Sequence, residues 1–337
     1  MRPDWRSGAR VLCTGGAGFI GSHLVGHLLA ETRVEIVVLD RLSDSGDLGR
    51  LPSLEAWERE RRRVRFVWHD LKAPIGEALL ARLGRFDIVF HLAASSHVDT
   101  SIADPALFVL DNVLGSTHLY LAAGKCLNPS GLLFDFGTDE VFGPVLMGEP
   151  ARREDDAHRP SNPYAASKAG QAAMARAFHR TYGLPLVSTY SMNVFGQRQH
   201  VEKYVPKLIR AILSGEEVCI HQAPDGSLGS RTWMHAGNTA HALAHLCDVA
   251  QPGDAYNLVL PEEHDNLEMA TLVAAILGRP LRYRLEPGNV SRPGYDARYA
   301  IDGARLQATG WKPPLSFGEA LEATVLWTAE HKEWIGL

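Results

Sequence analysis

Short apolar runs alternate with longer amphipathic segments through the first half of this chain. Each run is rich in aliphatic, β-branched or aromatic residues, as buried strands of a parallel sheet require. The predicted strands are Arg10–Thr14, Glu35–Asp40, Val64–His69, Asp87–Leu92 and Leu132–Phe136. The predicted helices between them are Phe19–Ala30, Ile75–Leu83 and Ala106–Leu127. This alternation predicts an α/β fold built on a doubly wound parallel sheet.

The pattern changes in the second half of the chain. A helix is predicted over Pro163–Tyr182, because proline suits the first turn and Gly183 follows the last. Beyond a strand at Leu184–Tyr190, prolines and glycines become frequent and the alternation is lost. We therefore expect one domain over residues 1–194 and a smaller C-terminal domain over 195–337. A helix and a strand within 235–260 are expected to return to the first domain.

Composition and charge narrow the class of protein. The chain has 337 residues, 45% of them apolar, and a net charge of −5. Such a chain can bury a large core, and its acidic balance argues against a nucleic-acid partner. No stretch reaches the about 18 apolar residues of a membrane span. The four cysteines form no CxxC pair, so we expect reduced thiols, no metal site and a cytoplasmic location.

A glycine-rich segment follows the first strand and opens the first helix. It reads GGAGFIG and contains Gly15, Gly18, Phe19, Ile20 and Gly21. Glycine permits a tight turn and lets a pyrophosphate approach the backbone N–H groups at a helix N-terminus. The spacing is GxxGxxG, and a structural glycine turn is the alternative. With the strand pattern, the segment predicts a Rossmann-type dinucleotide-binding domain.

Side chains at the next strand ends fit the same ligand. Asp40 ends the second strand, where a carboxylate accepts ribose hydroxyl groups and repels a 2′-phosphate, so NAD is favoured over NADP. The neighbouring Arg41 could instead bind a 2′-phosphate, which would favour NADP. Asp70 follows the third strand, where it could accept from the adenine amino group or cap a helix. The remaining cofactor positions are Leu71, Leu92, Ala93 and Ala94.

Tyr164 and Lys168 lie four residues apart within the helix predicted after Pro163. That spacing places both side chains on one helix face. We expect the lysine charge to lower the tyrosine pKa, so that a phenolate can take a hydroxyl proton as hydride leaves to a nicotinamide. The pair therefore predicts alcohol oxidation.

Thr138, Asp139 and Glu140 follow the fifth strand directly. The threonine could bind the same hydroxyl group as Tyr164. Hydride transfer needs no pair of carboxylates, but elimination of water next to a ketone needs a base and an acid. The alternative is that Asp139 caps a turn and Glu140 lies on the surface.

With these motifs in place, the chain resembles the nucleotide-sugar 4,6-dehydratases of the extended short-chain dehydrogenase/reductase family. The resemblance is strongest to the members that act on dTDP-glucose. The matching segments, in order, are GGAGFIGSHL, HLAASSHVDTSI, TDEVFG, YAASKAG, RPGYDARYAID and GWKPP. They extend over nearly the whole chain, and TDEVFG and RPGYDARYAID are the specific ones.

The resemblance implies a mechanism for dTDP-glucose or a variant NDP-hexose. Tyr164, with Lys168 and Thr138, would deprotonate the C4 hydroxyl as NAD accepts hydride. Glu140 would remove the C5 proton, and Asp139 would protonate the departing C6 hydroxyl. Return of the hydride to C6 would give a 4-keto-6-deoxy sugar nucleotide, and NAD would stay bound.

The resemblance also implies substrate contacts and a partner. The positions it assigns to the nucleotide sugar are Ser96, His97, Asn193, Glu202, Lys203, Arg231, Asn266, Arg292 and Tyr295. Asn257 matches a further family asparagine. For each contact residue the alternative is a surface salt bridge or a loop cap. Family members pair as homodimers through two long helices, which here are 106–127 and 163–182.

This sequence departs from the family pattern on segments expected to face the substrate. The departures are Ser95, Thr100, Gly137, Thr232, Tyr295 and the longer segment 220–230. We therefore expect retained chemistry with an altered sugar or nucleotide. A 4-epimerase or a decarboxylase on the same scaffold is the first alternative, and an inactive NAD-sensing scaffold is the second.

Overall fold

A seven-stranded parallel sheet is the centre of the fold. The computed structural model describes residues 4–43, 45–146, 148–223, 226–287 and 298–337. The sheet strands are β1 (Arg10–Thr14), β2 (Glu35–Asp40), β3 (Val64–Trp68), β4 (Phe86–His91), β5 (Leu127–Thr138), β6 (Leu186–Ser191) and β10 (Ala255–Leu258). Their order is β10-β6-β5-β4-β1-β2-β3. The order reverses beside β1, where a doubly wound sheet opens a ligand crevice.

The helices lie on both faces of this sheet and in the C-terminal part of the chain. They are α1 (Phe19–Glu31), α2 (Trp57–Glu60), α3 (Glu77–Leu83), α4 (Val98–Ala103), α5 (Pro105–Phe108), α6 (Gly115–Cys126), α7 (Pro163–Tyr182), α8 (Tyr204–Ser214), α9 (Ala236–Val249), α10 (Asn266–Ile276), α11 (Ala304–Ala308) and α12 (Phe317–Glu330). Apolar residues of α1 and α9 form the core on one face, and those of α6 and α7 form the core on the other. The predicted Rossmann-type fold is confirmed.

The C-terminal part has a core of its own, formed by α8, α10 and α12. It contains two small sheets, whose strands are β7 (Asn193–Phe195), β8 (Val218–Gln222), β9 (Ser230–His235), β11 (Glu263–Asp265) and β12 (Tyr283–Pro287). The intervening α9 and β10 belong to the large sheet, since β10 pairs with β6 and α9 packs on α1.

Two elements differ most from their predicted bounds, while β3, β4, β6, α1 and α3 shift by only one or two residues at an end. Strand β5 is longer than Leu132–Phe136 and ends at Thr138. The single helix predicted over 106–127 is instead α5 and α6 joined by a π-helical turn at Val109–Leu114, which buries Asp111 and Asn112. A π turn re-aims side chains and is frequent at functional sites. The whole helical run, Pro105–Cys126, is apolar and long enough to cross a membrane, but half of it is buried inside the fold.

Candidate active site

A deep cleft lies along the carboxyl ends of β1 to β5. It encloses about 1260 Å³ of free space, including its open mouth. The predicted cofactor residues all line it, namely Gly15, Gly18, Phe19, Ile20, Gly21, Asp40, Asp70, Leu71, Leu92, Ala93, Ala94, Tyr164 and Lys168. The sheet therefore gathers positions up to 153 residues apart in the chain onto one surface.

The glycine loop brings a helix N-terminus to the cleft. Gly15 has φ +70°, and a Cβ there would lie 2.7 Å from the backbone nitrogen of Ala93. A Cβ at Gly21 would overlap the carbonyl oxygen of Gly15. No side chain among the described residues caps α1, and its first turn holds no acidic residue. This cradle fits a dinucleotide pyrophosphate, because a helix N-terminus without a capping side chain lies at the wall of the cleft.

Asp40 and Arg41 have clearly different environments. The Asp40 carboxylate accepts from the backbone N–H groups of Ala17, at 3.0 Å, and Leu42, at 2.9 Å. The Arg41 guanidinium donates to both oxygens of Asp111, at 2.6 and 2.7 Å. In this bidentate pair the Arg41 guanidinium is bonded to Asp111, whereas a free guanidinium could attract the 2′-phosphate of NADP. The structure thus resolves the two opposing signals in favour of NAD.

Asp70 does not cap a helix, which was its alternative role. It accepts from the backbone N–H of Lys72 at 2.9 Å, two residues further along, and α3 begins only at Glu77. The Lys72 ammonium lies 3.4 Å from the same carboxylate. Asp70 is therefore held in a local turn at the cleft wall.

Tyr164 and Lys168 lie in the first turns of α7. Asn162 caps this helix with its side chain, Pro163 begins it, and Gly183 ends it in the left-handed conformation. Both functional side chains are buried and line the cleft. The helix therefore places them on one face, as their spacing predicts.

The tyrosine pKa does not follow our expectation. Burial raises the pKa of Tyr164 above its usual range, the charge of Glu140 adds to this, and a hydrogen bond with Thr138 opposes it. The Lys168 ammonium instead donates to the carbonyl of Phe136 at 2.7 Å and to Gln171 at 2.6 Å. The prediction that the Lys168 charge lowers this pKa toward neutrality is wrong, because burial of the phenol dominates.

The residues Thr138, Asp139 and Glu140 stand at the end of β5 and enter a short 3₁₀ turn. Thr138 Oγ1 donates to Asp139 Oδ1 at 3.1 Å. The Asn162 amide donates to Glu140 Oε2 at 3.0 Å. Burial first, and the Glu140 charge second, raise the pKa of Asp139 to about 7, while Arg231 opposes the shift. The two carboxyl groups therefore meet different environments, as an acid and a base require.

Four predicted substrate residues come together at the rim of the cleft. The Lys203 ammonium donates to the carbonyl of Ser96 at 3.1 Å, and both residues line the cleft. His97 Nε2 lies 3.6 Å from the carboxylate of Glu202. These contacts join the loop after β4 to the turn before α8.

The other predicted substrate residues are spread over the C-terminal part. Arg231 stacks on the ring of Tyr299 at 4.8 Å, and its charge acts on Asp139. Asn193 begins β7, and Asn266 begins α10. Arg292 and Tyr295 lie outside the described residues. Of these positions, the structure relates Arg231 most directly to the carboxylate pair.

Asn257 forms hydrogen bonds that stabilise the fold, and it does not line the cleft. It is completely buried, and its amide donates to the carbonyls of Arg152, at 3.1 Å, and Asp302, at 2.9 Å. Its backbone N–H donates to Glu154 at 2.9 Å. The asparagine therefore ties three segments together, and the family match at this position reflects packing.

Sequence reasoning missed several residues at this site. The cleft is also lined by Ser43, Ser45, Arg50, Gln199 and His200, which belong to loops without a recognisable motif. Asp111 and Asn112 could have been noticed as a polar pair inside an apolar helix. Asn162 could have been noticed only as a helix cap.

Comparisons with known proteins agree with this geometry. Residues 12–324 match the family described as GDP-mannose 4,6 dehydratase. The dTDP-glucose 4,6-dehydratase of Salmonella typhimurium is 33% identical, with 97% of this chain and 94% of that protein covered. DesIV, a dTDP-glucose 4,6-dehydratase from Streptomyces venezuelae solved with NAD bound, is 34% identical, with a TM-score of 0.86 over 97% of this chain and 99% of that one.

An epimerase is also among the structural relatives. The UDP-glucose 4-epimerase of Thermus thermophilus, solved with NAD, is 31% identical, with a TM-score of 0.84 over 95% of this chain and 99% of that one. The fold is thus common to both enzyme types, and solved members of both types contain NAD. The match over residues 12–324 confirms the resemblance found in the sequence, and with it the enzyme class. The chain belongs to the GDP-mannose 4,6 dehydratase family.

Proposed function

We propose that this protein is an NAD-dependent nucleotide-sugar 4,6-dehydratase that acts on dTDP-glucose or a closely related NDP-hexose. The observation that carries the proposal is the Asp139–Glu140 pair beside Tyr164 at the end of β5. An epimerase has no use for two carboxyl groups in contrasting environments at this point. The product is a 4-keto-6-deoxy sugar nucleotide.

Oxidation at C4 is the first step. Tyr164 takes the proton of the substrate's C4 hydroxyl. Thr138 forms a hydrogen bond with the Tyr164 phenol and helps to position the same C4 hydroxyl. NAD, when bound, would accept the C4 hydride. In the last step that hydride would return to C6, and Glu140 would return a proton to C5. Burial holds Tyr164 protonated in the free protein. The phenol loses its proton to solvent once substrate and cofactor are bound, and the phenolate then takes the C4 hydroxyl proton.

Elimination of water is the second step, and the environments of the two carboxyl groups divide its roles. Asp139, with its pKa raised to about 7, keeps a proton near neutrality and gives it to the departing C6 hydroxyl. Glu140 takes the C5 proton, and the Asn162 amide, which donates to Glu140 Oε2 at 3.0 Å, holds the carboxyl group in place.

Two departures from the family have explanations within the fold. A Cβ at Gly137 would lie 2.8 Å from the ring of Tyr190, so glycine is required by packing there. Ser95 donates to Asp111 at 2.6 Å and joins the Arg41 pair. Thr100, Thr232, Tyr295 and the segment 220–230 remain as sources of an altered substrate preference, and we propose that the segment 220–230 selects the nucleotide.

We propose that two parts of the chain bind the two ligands. Residues 1–194, with 235–260, bind NAD, and residues 195–337 bind the nucleotide sugar. The contacts of Lys203 with Ser96 and of Glu202 with His97 support this, since they join the two parts at the cleft rim. We also propose a cytoplasmic location, because all four cysteines are free thiols.

A homodimer is part of the proposal. On the helical run Pro105–Cys126, the side chains of Val109, Leu110, Leu114 and Leu121 are all more than a third exposed, and those of Val109 and Leu121 are more than half exposed. A second copy of the chain would cover this apolar strip. Light scattering of the purified protein tests this, and Leu121→Glu should shift a dimer toward monomer.

The proposed activity is tested with glucose linked to dTDP, UDP, GDP or CDP, in deuterated buffer without added NAD. We expect one of them to lose a water molecule and to carry solvent deuterium at C5, because NAD stays bound and Glu140 exchanges that proton. An isomer of unchanged mass without deuterium would show a 4-epimerase instead. If none of the four nucleotide sugars were converted, the proposal would be contradicted.

A matched pair of variants tests the role of Glu140. Glu140→Gln should lower the rate of dehydration by about 100-fold or more, the usual size of a general-base effect. It should still oxidise C4, which a transient absorbance of reduced cofactor reveals. Glu149→Gln is the control, because Glu149 pairs with Arg152 on the surface. Equal rates for both variants would exclude Glu140 as the base.

A further inference from the structure

Asp135 is a buried carboxylate behind the wall of the cleft. It lies in β5, three residues before Thr138, and only 2% of it is exposed. The Tyr120 hydroxyl, from α6, donates to Asp135 Oδ1 at 2.6 Å. The Gln171 amide, from α7, donates to the same oxygen at 2.7 Å. None of the motifs that identify the site includes this residue.

Gln171 connects Asp135 to Lys168. Its Oε1 accepts from the Lys168 ammonium at 2.6 Å, while its Nε2 donates to Asp135. The amide is thereby fixed in one orientation, with its oxygen toward the cation and its nitrogen toward the anion. Both ends of this chain of hydrogen bonds are buried. A buried ammonium is costly unless an anion compensates it.

Among the described residues, the other titratable groups that interact with this pair, His91, Tyr120 and Tyr190, are neutral near pH 7. Burial lowers the pKa of His91, on β4, to about 3, and the Lys168 charge contributes. Burial raises the pKa values of Tyr120, on α6, and of Tyr164 above their usual range. Burial lowers the pKa of Lys168 to about 8, and Asp135 opposes that shift. Burial also raises the pKa of Asp135, and the Lys168 charge and the hydrogen bonds from Tyr120 and Gln171 oppose that shift. Among the described residues, Asp135 is the group whose charge opposes the lowering of the Lys168 pKa.

We propose that Asp135 is a positioning residue that holds Lys168 protonated through Gln171 and so sets the upper pH limit of the reaction. An ammonium has three N–H donors. The bonds to Phe136 and Gln171 use two of them, which leaves the third and the positive charge for the cleft that Lys168 lines. The catalytic consequence rests on the proposed function, whereas the electrostatic link does not.

The variants separate charge from shape. Asp135→Asn keeps the Oδ1 acceptor to which Tyr120 and Gln171 donate, and it removes only the charge. Tyr120→Phe is the matched control, since it removes a hydrogen bond to the same oxygen without changing a charge. Adding Gln171→Glu to Asp135→Asn returns a carboxylate beside Lys168. If Asp135→Asn fails to fold, Gln171→Leu breaks the same link.

The first measurement needs no substrate. The chain has seven lysines, so carbon NMR of protein labelled at the lysine Cε can follow each of them, with Lys168→Arg assigning the signal. We expect the Lys168 pKa to fall by about one unit in Asp135→Asn, as for loss of a nearby opposite charge. It should be unchanged in Tyr120→Phe and restored in the double variant. An unchanged titration in Asp135→Asn and in Gln171→Leu would overturn the proposal.

The second measurement is the pH profile of dehydration. The high-pH limb of kcat/KM should move down by the same amount, giving about a tenfold loss above the limb and a rate near wild type below it. A shifted NMR titration with an unmoved limb would overturn the catalytic part. If wild-type protein converts no nucleotide sugar while the NMR shift is seen, the proposed function fails and the electrostatic link stands.

Discussion

Replacing Asp139 with asparagine separates the charge of this side chain from its hydrogen bond. Thr138 Oγ1 donates to Oδ1, an acceptor that asparagine retains. Asp139 is only 4% exposed, and burial raises its pKa to about 7. Asp139→Asn cannot give up a proton, so we expect it to lose dehydration. We also expect it to be more stable than the wild-type protein in neutral and alkaline solution.

The size of the stability effect follows from the Asp139 pKa. The usual value is 3.8, and the folded value is about 7. One pKa unit corresponds to about 1.4 kcal/mol, so the shift is equivalent to about 4 kcal/mol. Because the folded pKa is raised, this contribution is complete below pH 3.8 and is lost as the pH rises through about 7. Asparagine does not titrate, so the variant escapes this loss.

Urea unfolding at several pH values measures the effect. Wild type should lose stability relative to Asp139→Asn as the pH rises from about 4 to about 7, and the difference should then stay constant. Asp155→Asn is the control for loss of one negative charge, because Asp155 is exposed. Parallel stability curves for wild type and Asp139→Asn would refute the reasoning, since they would show that Asp139 ionises as freely in the fold as in the unfolded chain.

Two further substitutions test the cofactor cleft. Asp111→Asn should release the Arg41 guanidinium and improve binding of NADP relative to NAD by about tenfold, or about 1.4 kcal/mol. Calorimetry with both dinucleotides measures this ratio. An unchanged ratio would show that the pairing of Arg41 with Asp111 is not a source of selectivity. Gly15→Ala should lower the free energy of unfolding by about 1–3 kcal/mol more than Gly183→Ala, the usual cost of overpacking. Both glycines have positive φ, but a Cβ at Gly15 would meet Ala93 whereas one at Gly183 has open space, so equal losses in urea unfolding would contradict the packing argument.

The local sequence was sufficient to predict the elements that hold the site. Strands β1 and β2 have their predicted bounds, because each is a short apolar run between polar ends. Helix α7 also has its predicted bounds, since Pro163 and Gly183 act on their own backbone. The residues of the glycine loop line the cleft because a strand, a run of glycines and a helix that follow one another in sequence determine this turn locally. The family resemblance added the roles proposed for the carboxylate pair.

Tertiary structure alone decided how charges are distributed in the site. Arg41 and Asp111 are 70 residues apart, and the π turn that aims Asp111 at the cleft is invisible in the hydrophobic pattern. The raised pKa of Asp139 and the link from Asp135 to Lys168 depend on burial, which is a property of packed layers. Sequence periodicity reports which face of an element is apolar. It does not report which polar groups from distant elements meet inside, because that depends on strand order and on how the helices pack.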